Sequence, residues 1–523
     1  MIDHRCQPKS GGGFTAMQAT NLLFIMADEH RRDALGCYGH PIVRTPHLDR
    51  LAAAGTRFAN AYTPSPVCVS ARASLATGRW VHDTGCWSSA EPYDGSMPGW
   101  GRRLIAAGHR VVSVGKLHYR ATTDANGFDR EILPLHVVDG LGWVKGLLRN
   151  PLPSYGEAPR ELAMQVGTGE TGYTHYDRRI CGAACDWIRE YGTATDKPWV
   201  LFVSFVSPHY PLIAPKLFTD LYDLERIGWP HRHKERPSHP VLQEIYRFYN
   251  YQDHFTDQRV KQGRLGYYGL CSFVDHLIGR LLGTLEASGL TEDTRVLYTS
   301  DHGEMLGDHG MWTKMLMYEA SAAIPLIMKG PDVPSGQVVQ TPVSLVDCYQ
   351  TIVESVGEPL TGEERALPGH SLLRIAAGEF PARTVLSEYH DGGAPTGYFM
   401  VRRNAWKYIH YTGSVPQLFN LADDPLEDED LGQDPRYAEV RQDCEVALRA
   451  ILDPVAVNPA GVRRAGAQGR GLGRAGRAAR AGGFRFRLHA AQEYRWRSRL
   501  GGAERPSGLK AAAAGPARPG RLR

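Results

Sequence analysis

Asn21-Leu22-Leu23-Phe24-Ile25-Met26-Ala27-Asp28-Glu29-His30 is the stretch that fixes the architecture. A short apolar run bounded by polar residues predicts a strand buried on both faces, as in parallel sheets. It ends in acids. Thr294-Arg295-Val296-Leu297-Tyr298-Thr299-Ser300-Asp301-His302-Gly303-Glu304 repeats the plan, with Asp and His after the apolar run. Ligand sites of open α/β sheets lie outside the carboxyl ends of the strands. Two strands that deliver Asp28 and Asp301-His302 to one rim predict an oxygen-and-imidazole site for a hard divalent cation. Either strand end by itself reads equally well as a helix cap or a loop carboxylate.

Between them lies Cys68-Val69-Ser70-Ala71-Arg72-Ala73-Ser74-Leu75-Ala76-Thr77-Gly78-Arg79, which follows the turn-rich Tyr62-Thr63-Pro64-Ser65-Pro66. Cys68 enters at a predicted helix N-terminus, and Arg72 sits one turn later on the same face. First-turn amides attract anions, so the pattern suits a nucleophile attacking a negatively charged ester. Alone it describes a buried thiol beside a solvated charge. Joined to both strand ends it describes a site.

Three more landmarks stand around the Asp301-His302-Gly303-Glu304 run: Gly115-Lys116-Leu117-His118, Ser207-Pro208-His209 and Trp312-Thr313-Lys314. On these residues the chain resembles the formylglycine-dependent sulfatase family of the alkaline phosphatase superfamily, and within it the bacterial choline-sulfatase and phosphonate monoester hydrolase types. The likeness covers residues 21–454. It implies an α/β fold: a large, mostly parallel mixed sheet flanked by helices, with a small C-terminal antiparallel α+β subdomain. It also implies that a formylglycine-generating enzyme oxidises Cys68 to formylglycine. One hydroxyl of the hydrated aldehyde would attack sulfur, and the other would later expel sulfate. One divalent cation, Ca2+ first with Mg2+ or Mn2+ as alternatives, would activate that hydroxyl and neutralise sulfate oxygens.

By the same resemblance Asp28, Cys68, Asp301 and His302 are the expected metal ligands, with Glu29 a weaker candidate. The expected catalytic residues are Cys68, Arg72, Lys116, His118, His209 and Lys314. Arg72 would hold the hydrated aldehyde with its fork of donors, and Lys116 and Lys314 would contact sulfate oxygens. His118 is the expected base that helps break the covalent intermediate, and His209 the acid near the leaving oxygen. Two departures stand out. Ser70 occupies the position where the family signature has Pro, two residues after the cysteine, and the modifying enzyme reads that segment. Ser88-Ser89 stands where choline-sulfatase relatives carry Asn.

The expected function is hydrolysis of a small, soluble sulfate ester. The alternatives are a phosphonate monoester or phosphodiester hydrolase with the same site, and a non-catalytic anion-binding relative, for which Ser70 and Ser89 are the motive. The alcohol part of the substrate is not readable. Residues 135–264 are expected to form loops over the pocket, with Trp143, Tyr155, Tyr173, His175, Tyr210, Trp229 and His231 as aromatic and basic groups that line it or simply pack.

Strands alternate with helices along the rest of the chain. Residues 109–115, 199–206 and 324–328 read as strands. Residues 267–288 have helical spacing, and Thr45, Pro46 and Gly55 read as cap, first position and stop of a short helix. Past about residue 381 come short strands at 399–402, 406–410 and 417–420, an acidic solvated loop at 423–430 and a helix at 436–452. The organisation is therefore a flexible extension at 1–20, a catalytic domain at 21–380, a small subdomain at 381–458 and a basic low-complexity tail at 459–523.

The 523-residue chain carries a net charge of +4, but 16 of its 60 lysines and arginines and only two of its 56 acids fall after residue 460. The rest is acidic by about ten charges, which excludes a general polyanion binder; nucleic acid is not an expected partner. The tail's Gly471-x-Gly473-x-x-Gly476 follows no strand and is rejected as a dinucleotide fingerprint. The abrupt Arg/Gly/Ala composition reads as disorder or as a frameshift in a GC-rich gene. Nine cysteines at irregular spacing form no disulfide framework, and no apolar run reaches bilayer length. With no signal-peptide core at the start, the expected compartment is the cytoplasm. No membrane partner is expected, and a homo-oligomer is left open.

Overall fold

Strand β1 (Asn21–Asp28) is apolar from Leu22 to Ala27 because both of its faces are covered. Leu22, Phe24 and Met26 pack with Ala71, Leu75, Trp100 and Ile352 on one side. Leu23, Ile25 and Ala27 pack with Ile180, Cys181, Leu277 and Leu281 on the other. Each such side chain contributes about 1.5–3 kcal/mol on burial, so this strand is the centre of the core. The computed structural model describes residues 18–142, 152, 155–194 and 196–458; the expectations for residues 1–17, for Trp143 and for the 459–523 tail with its glycine fingerprint lie outside them.

In chain order the other strands of the main sheet are β2 (Thr56–Phe58), β3 (Val111–Lys116), β4 (Arg130–Leu135), β5 (Val200–Pro208), β6 (Thr294–Ser300), β7 (Leu326–Lys329) and β8 (Gln337–Val339). Their spatial order is β8-β2-β7-β6-β1-β5-β3-β4. Pairings are parallel except where β7 meets β6 and β2. The flanking helices include α1 (Pro46–Ala53), α2 (Cys68–Thr77), α3 (Gly172–Tyr191), α4 (Asp257–Ala287) and α5 (Asp347–Ser355). The mixed, mostly parallel sheet is the expected one. Residues 135–264 are more than loops, since they hold α3 and β5.

Two local details differ from expectation. Pro46 opens α1, but the Thr45 hydroxyl does not cap it; it donates to Asp49 Oδ1 and accepts from the Gly36 amide, both at 3.0 Å. The His47 and Leu48 amides are instead received by Asp275 of α4, at 3.1 and 2.8 Å. Gly55 is required for contact rather than as a stop, because a Cβ there would lie 2.2 Å from the Met328 carbonyl oxygen. At the other end of the expected extension, Thr20 is anchored by its amide to the Ser355 carbonyl (2.9 Å) and by its hydroxyl to Arg295 (2.8 Å).

Burial raises the Asp275 carboxyl to about 7, against the two amides that favour its ionised form. A carboxyl whose folded pKa exceeds its unfolded value binds more protons in the native state, so its contribution declines as pH rises from about 4 to about 7. Asp275→Asn keeps an acceptor for both amides and removes the titration. Its melting temperature is expected to fall less than that of the parent between pH 5 and 8; equal slopes would contradict the assignment.

The C-terminal sheet has four antiparallel strands in sequential order, β9 (Thr384–Tyr389), β10 (Tyr398–Arg403), β11 (Trp406–Tyr411) and β12 (Gln417–Asn420). The sequence reading contains the last three and lacks β9. One face packs on helix α6 (Ala438–Arg449) through Phe399, Val401, Tyr408, Leu418 and Leu448. The other face supports the loop that carries Lys314: Tyr398 Oη donates to the Met315 carbonyl (2.5 Å), and Lys407 Nζ to the Met317 carbonyl (2.7 Å). The 423–430 run is not simply solvated. Glu427 is buried, pairs with Lys407 (2.8 Å) and accepts from the Glu319 amide (2.6 Å).

Candidate active site

Register places the strand-end residues. Ala27 of β1 pairs with Ser300 of β6, so Asp28 and Asp301 leave the sheet side by side. Asp28 also pairs with Pro208 at the end of β5, which brings His209 beside it. Gly115 of β3 faces Ser204 of β5, which places Lys116 at the same rim. A Cβ at Gly115 would lie 2.3 Å from the Ser204 carbonyl oxygen, and its φ is +104°. Gly115→Ala is therefore expected to displace Lys116 and lower stability by about 1–3 kcal/mol, read as a drop in the urea midpoint; an unchanged midpoint would show that β3 yields easily.

Helix α2 points its N-terminus at these acids. Cys68 Sγ lies 3.0 Å from His302 Nε2 and 3.6 Å from Asp28 Oδ1. Arg72, one turn on and 1 % exposed, donates Nε to Asp301 Oδ2 (2.8 Å) and Nη2 to Asp28 Oδ2 (3.0 Å). Its Nη1 is shared between the Lys116 carbonyl and Ser204 Oγ, both at 2.9 Å. Asp301 Oδ1 receives the Glu29 and His302 amides at 3.1 and 3.0 Å. The hydrogen-bond partners assign the His302 tautomer: Nδ1–H donates to the Gly303 carbonyl (2.9 Å), which leaves the Nε2 lone pair facing the cluster.

One donor atom from each of Asp28, Cys68, Asp301 and His302 lies within 4.8 Å of all the others, and all four residues are buried. Two carboxylates and an imidazole lone pair, brought together away from water, fit a divalent cation. Asp28, Glu29 and His209 form an overlapping second grouping. The charges around it are mixed. Burial would raise the Asp28 carboxyl, but Lys116, in direct contact with it, together with His209 and Arg72 holds it well below the usual range. Burial pushes Glu29 up, and Glu304 adds to the rise while Lys314 opposes it. Burial, with Asp28 adding, pushes the Cys68 thiol up to about 12, so an unmodified Cys68 is protonated at neutral pH.

His209, His118 and Lys314 form the outer edge. Lys314 Nζ donates to His209 Nε2 (3.0 Å) and lies 3.4 Å from Glu29 Oε2. Burial works against the Lys314 ammonium, yet Cys68 and Glu29 hold it well above its ordinary range. His209 is lowered by burial and by Lys314; its Nδ1 faces the Tyr210 carbonyl (2.8 Å). His118 is lowered by burial and by Lys116, and its buried Nδ1 has no hydrogen-bond partner. Glu29, His118 and Thr313 all have positive φ (64°, 60° and 65°), a concentration of backbone strain typical of functional sites.

The structure thus brings together all the residues singled out as site candidates: Asp28, Cys68, Arg72, Lys116, His118, His209, Asp301, His302 and Lys314. Of the aromatic candidates, Tyr210 stacks on His209 (centroids 4.2 Å apart) and Tyr173 meets it edge-on (6.4 Å). Tyr155 packs on Phe248 and Tyr249. Trp229 stacks on His233, and His231 pairs with Asp428. His175 is exposed. Ser89 donates to Asp391 (2.5 Å). Two contributors went unread. Ser204 lies inside a uniform apolar strand, and Glu304 receives the Leu306 and Thr313 amides (2.8 and 2.5 Å) in front of Lys314. Only the Asp-His-Gly-Glu run hinted at Glu304.

A strand-end carboxylate pair, a helix-borne nucleophile position and a ring of cations define a hydrolase site of the alkaline phosphatase-like superfamily. Comparison with known proteins agrees: the sulfatase family model matches residues 20–358, and the chain belongs to that family. A second model, the N-sulphoglucosamine sulphohydrolase C-terminal region, matches residues 307–453. Arylsulfatase K of Danio rerio is 30% identical over 469 residues, spanning 84% of this chain and 85% of the relative. Choline-sulfatase of Rhizobium meliloti (strain 1021) is 31% identical over 430 residues, spanning 80% and 83%. The fold is shared with the phosphonate monoester hydrolase of Agrobacterium radiobacter (TM-score 0.67, 22% identity, 83% of this chain and 95% of that one). No helix among the described residues is long and apolar enough to cross a membrane.

Proposed function

We propose that the protein hydrolyses the sulfate ester of a small soluble alcohol, using formylglycine made from Cys68 and one divalent cation, Ca2+ in the first instance. The observation that carries this reading is the convergence of Asp28, Cys68, Asp301 and His302 within 4.8 Å, with Arg72 bonded to both carboxylates. Those four residues would hold the cation, which supplies charge for the sulfate oxygens, and the hydrated aldehyde supplies a hydroxyl nucleophile.

The remaining roles belong to side chains at the rim. Arg72 orients Asp28 and Asp301 and balances their charge. Lys116 and Lys314 receive sulfate oxygens. His118, held neutral with Nδ1 free, takes the proton from the hydroxyl that releases sulfate. The proton for the departing alcohol belongs to the Lys314–His209 pair and rests on Lys314. Residues 21–380 form the catalytic part, and residues 381–458 support the Lys314 loop. The irregular spacing of the nine cysteines supports a reducing compartment, the cytoplasm.

Two measurements test the proposal. Mass spectrometry of the peptide containing residue 68, from protein made with a formylglycine-generating enzyme, is expected to find the aldehyde. Turnover of an aryl sulfate is expected to exceed that of an aryl phosphonate monoester. Faster phosphonate turnover would move the assignment to that reaction class, and unmodified cysteine in protein from its native host would leave an anion-binding relative. Ser70→Pro is expected to raise the converted fraction several-fold. It is sterically feasible, because Ser70 lies in the first turn of α2, where a missing N–H leaves no helical bond unmade; equal conversion in both proteins would show that Ser70 is read as well as Pro.

A further inference from the structure

Helices α3 and α4 lie side by side on one face of the sheet. Each leads into the start of a strand, β5 and β6 respectively, so their carboxyl ends sit at the edge opposite the catalytic rim. Between those ends is a cavity of about 420 Å3 lined by Cys185, Arg189, Arg280, Gly283, Thr284 and Ala287. Cys185 and Thr284 are buried at its floor, while Arg189 and Arg280 are exposed on its walls. The cavity is open beside Gly283, where a Cβ would meet nothing within 4 Å. Arg189 pairs with Asp186 at the surface (3.0 Å). Arg280 has no carboxylate partner among the described residues.

Cys181 lies one turn before Cys185 on α3 and donates to the Leu277 carbonyl at 3.4 Å. Cys185 donates to the Arg280 carbonyl only at 3.9 Å, so ionisation forfeits little. The neighbouring Cys181 thiol lowers Cys185 most, burial opposes the shift, and Thr284, Arg189 and Arg280 add to it, so the net direction is downward. The same contact pushes Cys181 up. Of the two thiols, Cys185 is the one that lines the cavity, and it does so at a floor walled by two guanidiniums. Thiolate character and cationic surroundings are what make a cysteine exchange with disulfides.

We propose that Cys185 is a thiol–disulfide exchange site for small anionic disulfides, with Arg189 and Arg280 receiving the carboxylates of the incoming molecule. The Cys185 thiolate attacks one sulfur of the disulfide. The old S–S bond breaks as a new one forms to Sγ, and the other half departs as a thiolate that takes up the proton Cys185 released. The small disulfide is the oxidant and is reduced to one free thiol; a free thiol in excess reverses the step. The modification lies away from the catalytic rim and is independent of the sulfatase reading.

The test exposes the full-length protein to oxidised glutathione and, separately, to the neutral bis(2-hydroxyethyl) disulfide, with adducts located by peptide mapping. A glutathione adduct is expected on Cys185, absent from Cys185→Ser. Two added positive charges at the site should make oxidised glutathione react about tenfold faster than the neutral reagent. That preference is expected to vanish in Arg189→Gln/Arg280→Gln and to shrink with added salt in the unaltered protein, a check that needs no variant. No adduct on Cys185, labelling instead of Cys37, the half-buried member of the described cysteines, or a preference untouched by both salt and the arginine substitutions would overturn the proposal.

Discussion

Arg72→Ala is expected to lower unfolding free energy by about 3–5 kcal/mol, the range for removing one partner from a buried ion pair. Asp28 and Asp301 are fully buried, and Arg72 touches both. Without it two carboxylates face each other with Lys116 as the remaining cation in contact with Asp28. The loss extends to the Lys116 carbonyl and Ser204 Oγ, which lose their donor. Arg72→Lys restores the charge without the fork and cannot make all four bonds, so it should lie between parent and alanine. The measurement is the urea midpoint at constant m-value. Millimolar Ca2+ is expected to raise the alanine variant's midpoint more than the parent's, because a bound cation offsets the exposed imbalance. A midpoint equal to the parent's would remove Arg72 from its place as the balancing charge.

How far such residues can be read from sequence depends on the range of the interaction that sets them. Asp28 and Asp301 were legible because each ends an apolar run, and a parallel register of two such strands leaves the acids level. Arg72 was legible from helical spacing alone. His118 and His209 follow predicted strand ends, but their roles, and that of Lys314, came through family resemblance. What escaped was set by partners far along the chain. The α1 amides go to Asp275, more than 200 residues away, while the adjacent Thr45 looked like the cap. Glu427 looked solvated within its acidic run, yet Lys407 and the Glu319 amide draw it inside. Strand β9 has the pattern of many surface segments and becomes a strand by pairing with β10.

Cys68→Ala is expected to reduce sulfate-ester turnover by about 10^4-fold or more, as when a nucleophile is removed from a group that acts as a unit. The same change should alter stability by no more than about 1 kcal/mol. Cys68 occupies the first position of α2, where alanine is a good helix former, and its thiol only adjoins His302 and Asp28. Cys68→Ser separates two explanations for such a loss. Serine retains a hydroxyl that an enzyme oxidising the cysteine thiol leaves unchanged, so it can be sulfated yet has no second hydroxyl to expel the sulfate. A single stoichiometric burst of released alcohol followed by arrest is therefore expected, with sulfated serine in the mass spectrum. Continued turnover by the serine protein would remove formylglycine from the mechanism and leave residue 68 as a ligand alone.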